Sequence, residues 1–354
     1  MNVSKDFMNY NIGKNLRALL IIVFLLAACE NTDSGVGPEI NNNPSTAVEY
    51  YGRIQVKGNK IVDKNENPVA LRGMSLFWSQ WGGSFYNEKC VQWLRDDWKC
   101  TVVRASMGVE SGGYLTNAQS EYQKIITVID ACIKYGIYVV VDWHDHNAQD
   151  HLTQAKSFFG SIAQKYGDKP NIIYEIYNEP LQVSWSSVIK PYAVEVIKSI
   201  RQYDPDNLIV VGNPNWSQDV DVAAKDPVDD VNVAYSLHFY TSTHRQWLRS
   251  KAIAAMNSGA ALFVTEFGIS EASGNGNIDM TETNLWMNFL ETYKLSSCNW
   301  SVIDKNETSA SLKTGADPLG GWTQSALSQS GIFNRDYIIS KNKDLFEILN
   351  SAVK

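Results

Sequence analysis

From residue 51 onward the chain repeats one alternation, a short apolar run followed by a longer stretch of helical period. The runs are "ALRGMSL" (70–76), "TVVRASM" (101–107), "IYVVVDWH" (137–144), "IIYEIYN" (172–178), "NLIVVGN" (207–213), "VAYSLHFY" (233–240), "ALFVTEFG" (261–268) and "CNWSVID" (298–304), eight in all. Amphipathic stretches such as "SEYQKIITVIDACIKYG" and "HLTQAKSFFGSIAQKYGD" separate most of them, and "WSQDVDVAAKDPVDD" is the weakest helix candidate. Near-continuous apolar strands joined by helices predict an α/β protein with a parallel, helix-covered sheet. A doubly wound open sheet competes, but no GxGxxG follows the first strand. Eight repeats in about 300 residues suit a closed (β/α)8 TIM barrel better. Ahead of it, "YGRIQVKGNKIVDKNENPVALRG" reads as a β-hairpin with turns at Gly58-Asn59 and Asn65 to Pro68.

With 354 residues, 44% of them hydrophobic, the chain can bury one sizeable core. A net charge of −7 lacks the basic face that nucleic acid requires. The first residues read as a targeting segment: Lys14 and Arg17 precede "ALLIIVFLLAAC", which is short of the about 20 apolar residues a membrane span needs. "LAAC" (26–29) resembles the lipobox of bacterial lipoproteins, which makes Cys29 the lipidated mature N-terminus; the alternative is an ordinary signal peptide. Glu30 behind it points to the outer membrane or cell surface. Residues 30–49 are polar and read as a flexible tether, leaving 50–354 as a single barrel domain. Export permits disulfides: Cys132 and Cys298 sit in apolar segments and read as buried thiols, while Cys90 with Cys100 is a candidate pair.

In such a barrel, functional residues gather at the C-terminal ends of the strands. The second candidate strand reaches Arg104, the third ends at His144 and the fourth at Asn178-Glu179. The sixth ends His238-Phe239-Tyr240, the seventh at Glu266, and the eighth carries Trp300. Two carboxylates facing each other across the mouth are what a retaining glycosidase needs, one to protonate the leaving oxygen and one to attack the anomeric carbon. Their carboxyl groups then lie about 5–5.5 Å apart. One must hold its proton near neutral pH, which a nearby like charge and partial burial can arrange.

"IYEIYNEP" and "VTEFG", taken with "VVRASM", "DWH", "HFY" and "CNWSVIDK", resemble glycoside hydrolase family 5, and within it the bacterial endo-1,4-β-glucanases. The resemblance spans roughly residues 50–330. It implies that Glu179 is the general acid/base and Glu266 the nucleophile, with Arg104 and Tyr240 hydrogen-bonded to the nucleophile and Asn178 on the sugar 2-hydroxyl. His238 is implied as partner of the acid/base, His144 as neighbour of the reacting sugar and Trp300 as the platform beneath it. Lys305 and Glu307 match contacts to the next sugar on the non-reducing side. Trp81 and Trp216 match aromatics in subsites on either side of the cleaved bond, and His244 a histidine near the product side. Pyranose C–H faces stack on such rings while their hydroxyls need polar partners. Trp78 adds a further surface.

One departure is visible: where many relatives have Thr-His after "GMS", this chain has Leu76-Phe77, so packing or Trp78 replaces a polar contact. The resemblance implies hydrolysis of soluble or amorphous β-1,4-glucan by a monomer without cofactor. A β-mannanase, a xyloglucan-active enzyme and a non-catalytic glycan-binding lipoprotein are the rivals.

Other features read as structure. Glu175 shares the parity of Glu179 and reads as a paired carboxylate lower in the barrel. "DWHDHNAQDH" (142–151) offers metal-ligand types but passes from strand to loop without a spacing that sets two ligands on one helical face, so no metal is expected and His146 and His151 read as loop residues. Trp286 and Trp322 read as packing.

Overall fold

The computed structural model describes residues 44–351. Cys29 and the targeting segment lie outside that range. Helix α1 (Ala47–Tyr51) opens it, held by a capping box in which the Thr46 hydroxyl accepts from the Glu49 backbone N–H. These residues fall partly in the stretch expected as tether, so the folded unit begins a few residues earlier: Ala47 packs against Leu345 and Leu349. The hairpin follows as β1 (Gln55–Lys57) and β2 (Lys60–Val62), antiparallel across Gly58-Asn59.

The eight expected barrel strands form. They are β3 (Arg72–Leu76), β4 (Val102–Gly108), β5 (Tyr138–His144), β6 (Ile172–Glu175), β7 (Leu208–Val211), β8 (Val233–Tyr240), β9 (Leu262–Gly268) and β10 (Ser297–Val302). Every neighbouring pair is parallel, and β10 closes on β3. The helices are α2 (Ser79–Gly82), α3 (Glu88–Asp96), α4 (Tyr114–Tyr135), α5 (Leu152–Tyr166), α6 (Lys190–Arg201), α7 (Pro214–Ser217), α8 (Val220–Lys225), α9 (Gln246–Asn257), α10 (Met280–Tyr293) and α11 (Gln329–Ser351). The weak fifth connection carries only α7 and α8. Strand β6 stops at Glu175, short of the expected Asn178: beyond Ile176, whose N–H still reaches Val210, the backbone leaves the sheet to form the mouth.

Alternation along the strands divides the core. Val103, Ala105, Val139, Val141 and Trp143 face outward into the layer shared with the helices. Val102, Val140, Ile173, Val210, Ala234 and Phe263 face inward and fill the lower barrel. Val48, Ile54, Ile61 and Leu71 join this inner cluster, so α1 and the hairpin plug the floor. Cys90, Cys100, Cys132 and Cys298 are all buried free thiols, which removes the candidate Cys90–Cys100 bridge; both side chains belong to the packed layer between helix and barrel. Trp286 packs flat on Phe239 at 3.8 Å and Trp322 is buried, as core tryptophans should be.

Candidate active site

Two residues above the apolar floor, the same inward positions become polar: Arg104, Asp142, Glu175, Ser236 and Thr265. Arg104 is the hub and is fully buried. Its Nε donates to Glu175 at 2.6 Å, Nη1 to Glu266 at 2.9 Å, and Nη2 to Asn178 Oδ1 at 2.7 Å, with Asp142 Oδ2 2.9 Å away. Burial works against the charge on Glu175, but Arg104 and His238 outweigh it and hold that carboxyl down at about 2. Glu175 is thus the paired carboxylate expected from its parity.

Strand β9 supplies two consecutive residues to the interior, which a regular strand cannot do. The register between β8 and β9 shifts between Ser236 and His238, and this irregularity lets Thr265 bond Glu175 at 2.6 Å while Glu266 turns to Arg104. Tyr240 O–H donates to the other Glu266 oxygen at 2.7 Å. Gly268 makes that reach possible, since a Cβ there would fall 2.4 Å from the Tyr240 ring. Burial and the like charge of Glu179 raise the Glu266 carboxyl above its ordinary value, while His238, Arg104 and the Tyr240 hydroxyl oppose that rise.

Glu179 stands opposite, its carboxylate partly open to solvent. Ligand atoms of Glu179, His238 and Glu266 all lie within 4.8 Å of one another, so the two carboxylates face each other at close range. His238 Nδ1 is 3.0 Å from Glu179 Oε1, and its Nε2 is 2.8 Å from the Thr265 hydroxyl. Burial alone would lower the His238 pKa, but the hydrogen bonds to Glu175 and Glu179 prevail and lift it to about 9. Asn178 spends its Oδ1 on Arg104, and its buried Nδ2 finds no partner among the described residues, leaving a donor for a ligand hydroxyl.

Toward β10 the mouth is aromatic. Trp300 stacks on His144 at 5.1 Å with 2° between the rings, and Trp78 meets His144 edge-on at 4.1 Å. His144 Nδ1 bonds Asp142 Oδ2 at 2.6 Å; burial and Arg104 hold its pKa well below the ordinary range. Phe77 packs 5.3 Å from Trp300 and lies under Lys305. Lys305 pairs with Glu307, and Trp81 is 59% exposed beside Trp78.

The other side is a cleft of about 470 Å³ lined by Glu179, Trp216, Gln218, His238, Tyr240 and His244, with Ala272 and Ser273. Trp216 is 37% exposed and follows a strained turn in which Asn215, Trp216 and Ser217 all have left-handed φ between 56° and 61°. Bonds from Trp216 N–H to Pro180 and from the Ser217 hydroxyl to the Asn178 carbonyl hold that turn against the acidic loop. His244 Nδ1 accepts from the Tyr240 N–H at 2.7 Å.

Arg104, Asn178, Glu179, His238, Tyr240 and Glu266 thus share one network, Trp216 and His244 line the cleft with Glu179, and His144, Trp300, Phe77, Trp81, Lys305 and Glu307 are joined by ring and ion-pair contacts. Sequence reasoning missed Asp142 and Thr265, whose signal was inward parity beside His144 and Glu266. It also set aside His146, whose Nδ1 is 3.1 Å from the Glu179 carbonyl and 3.7 Å from its carboxylate. His151 bonds Asp145 at 2.7 Å, with Glu110 3.9 Å away.

Residues 62–306 match the model of the cellulase family, glycosyl hydrolase family 5. The chain is 52% identical to endoglucanase Z of Dickeya dadantii over 72% of its own length and 60% of the relative's, so it spans less than two thirds of that protein. It is 53% identical to a solved structure from Cytophaga hutchinsonii, covering 85% of this chain and 99% of that one with a TM-score of 0.85. The catalytic domain of Thermobifida fusca endoglucanase Cel5A, solved as a variant with cellotetraose, is 36% identical over 83% of this chain and 99% of that one, with a TM-score of 0.80. A (β/α)8 barrel with this arrangement of carboxylates, matched over most of its length by the family model, belongs to glycosyl hydrolase family 5.

Proposed function

We propose that the protein is a retaining endo-1,4-β-glucanase acting on cellulose and related β-glucans. The observation that carries this is the pair Glu179 and Glu266, with carboxylate oxygens within 4.8 Å and unequal surroundings. That separation suits direct attack rather than the about 6.5–9.5 Å gap that admits a water for inversion. Glu266 receives Arg104 and Tyr240 on its two oxygens, donors that favour its ionised form and aim it. The upward push on its carboxyl comes first from burial and then from the charge of Glu179.

In the first step Glu266 attacks the anomeric carbon while Glu179 gives its proton to the glycosidic oxygen, releasing the leaving chain. In the second, Glu179 takes a proton from water, whose oxygen attacks the same carbon and frees Glu266. On this reading the free Asn178 Nδ2 holds the 2-hydroxyl, Trp300 supports the reacting sugar, and Trp81, Lys305 and Glu307 bind further units of the non-reducing side. Because Glu179 protonates the departing oxygen, the cleft it shares with Trp216 and His244 receives the leaving chain.

Reducing-sugar release from carboxymethyl cellulose, mixed-linkage β-glucan and mannan, with wild type beside Glu266→Gln and Glu179→Gln, tests this reading. Glucan activity lost in both variants is expected. Activity on mannan alone would move the substrate, and none on any polymer would refute the reading. Export and lipidation at Cys29, supported by "LAAC", complete it; a Cys29→Ala variant should leave the membrane fraction.

A further inference from the structure

Trp216 is not the last aromatic side chain on the leaving-chain side. Trp247, in the first turn of α9, is 45% exposed, and its ring meets that of His244 at 5.7 Å and 62°. His244 itself lines the cleft with Glu179, so Trp247 stands directly outside it. Lys251 also lies over the ring, its ammonium 5.5 Å from the ring centroid. Lys251 in turn pairs with Asp219, the neighbour of the cleft residue Gln218. The rim thus runs without interruption from Trp216 through Gln218, Asp219 and Lys251 to Trp247.

His244 completes the chemistry a sugar needs. Its Nδ1 accepts from the Tyr240 backbone, and burial lowers its pKa to about 4, so at neutral pH the ring is uncharged and carries its proton on Nε2. That leaves a hydroxyl donor beside a half-exposed indole, and a sugar's hydroxyls and C–H face need both kinds of group.

We propose that Trp247, together with His244, forms a distal subsite for a glucosyl unit of the leaving chain, one step beyond Trp216. This rests on the endoglucanase reading above. Trp247 is a binding residue that rewards longer chains and does not touch the reacting atoms.

The test compares wild type, Trp247→Ala and Trp247→Phe on cellotriose, cellotetraose and cellohexaose, and maps the bonds cut in reducing-end-labelled cellohexaose. An aromatic contact of this kind predicts that Trp247→Ala lowers kcat/KM on cellohexaose by about three- to ten-fold. Cellotriose should be unaffected, and cleavage should move toward the reducing end as the distal site loses its hold. Trp247→Phe, which keeps an aromatic face, should recover most of the loss. An equal loss at every chain length, or no loss at any, would overturn the subsite while leaving the enzyme a glucanase. A wild type inactive on all three oligosaccharides would remove the underlying reading as well.

Discussion

Two layers of the barrel interior differ by two residues along the same strands. The lower holds Val102, Val140, Ile173, Ala234 and Phe263; the upper holds Arg104, Asp142, Glu175, Ser236 and Thr265. Both are buried and both line the same side of the sheet, yet their energetics oppose. The lower layer gains from removing apolar surface from water. The upper layer, with the adjoining Glu266, strips three carboxylates and one guanidinium of water, and their attraction to that single cation offsets only part of the desolvation. Burial accordingly lifts the Asp142 carboxyl well above its ordinary range, with Arg104 as the main opposing influence. The lower layer secures the fold, and the upper layer accepts electrostatic strain to place charge at the mouth of the barrel.

Three substitutions break this contrast in different ways. The largest effect falls on activity: Glu266→Gln should reduce kcat on the order of 10⁴-fold. Because it removes one buried carboxylate and leaves Arg104 with Asp142 and Glu175, its melting temperature should equal or exceed that of wild type. A marked drop in Tm would mean the upper layer is stabilising after all.

Next, Phe263→Ala in the lower layer should cost about 3–5 kcal/mol in urea unfolding. Its kcat, measured where the variant is still folded, should stay near that of wild type. A loss of kcat comparable to that of Glu266→Gln would show that the layers are not separable.

The smallest effect is a pH dependence. His238 has a folded pKa near 9, above the ordinary 6.5, so its charge stabilises the fold fully below about pH 6.5 and that contribution disappears as pH rises through about 9. Thermal melts of wild type and His238→Asn from pH 6 to 10 should therefore differ most at the acid end and converge at the alkaline end. A constant difference would show that His238 acts by packing rather than by charge.

The sequence exposed the parts governed by repetition and chemistry. Eight apolar runs specified the barrel, and "NEP" and "TEFG" located the two carboxylates because those residue types have little business at the end of a core strand. Features set by tertiary geometry were less accessible. The role of Thr265 depends on a register shift that places neighbouring residues on one side, so regular alternation would have sent either it or Glu266 outward. Asp142 lay within a histidine-rich run that suggests metal ligation, while its actual partners, Arg104 and His144, come together only when the barrel closes. His146 looked like an ordinary loop residue because its proximity to Glu179 arises where two separate loops meet. The Cys90–Cys100 pairing failed for a related reason: two cysteines near in sequence were absorbed separately into the helix–barrel interface.

The plugged floor also gives the molecule a direction. Helix α1 and the hairpin seal the end of the barrel opposite the carboxylates, and the described chain enters there through Thr46. One end of the barrel is thus closed by packing and the other left open for chemistry, so a change at the floor reaches the carboxylates only through the apolar layer between them.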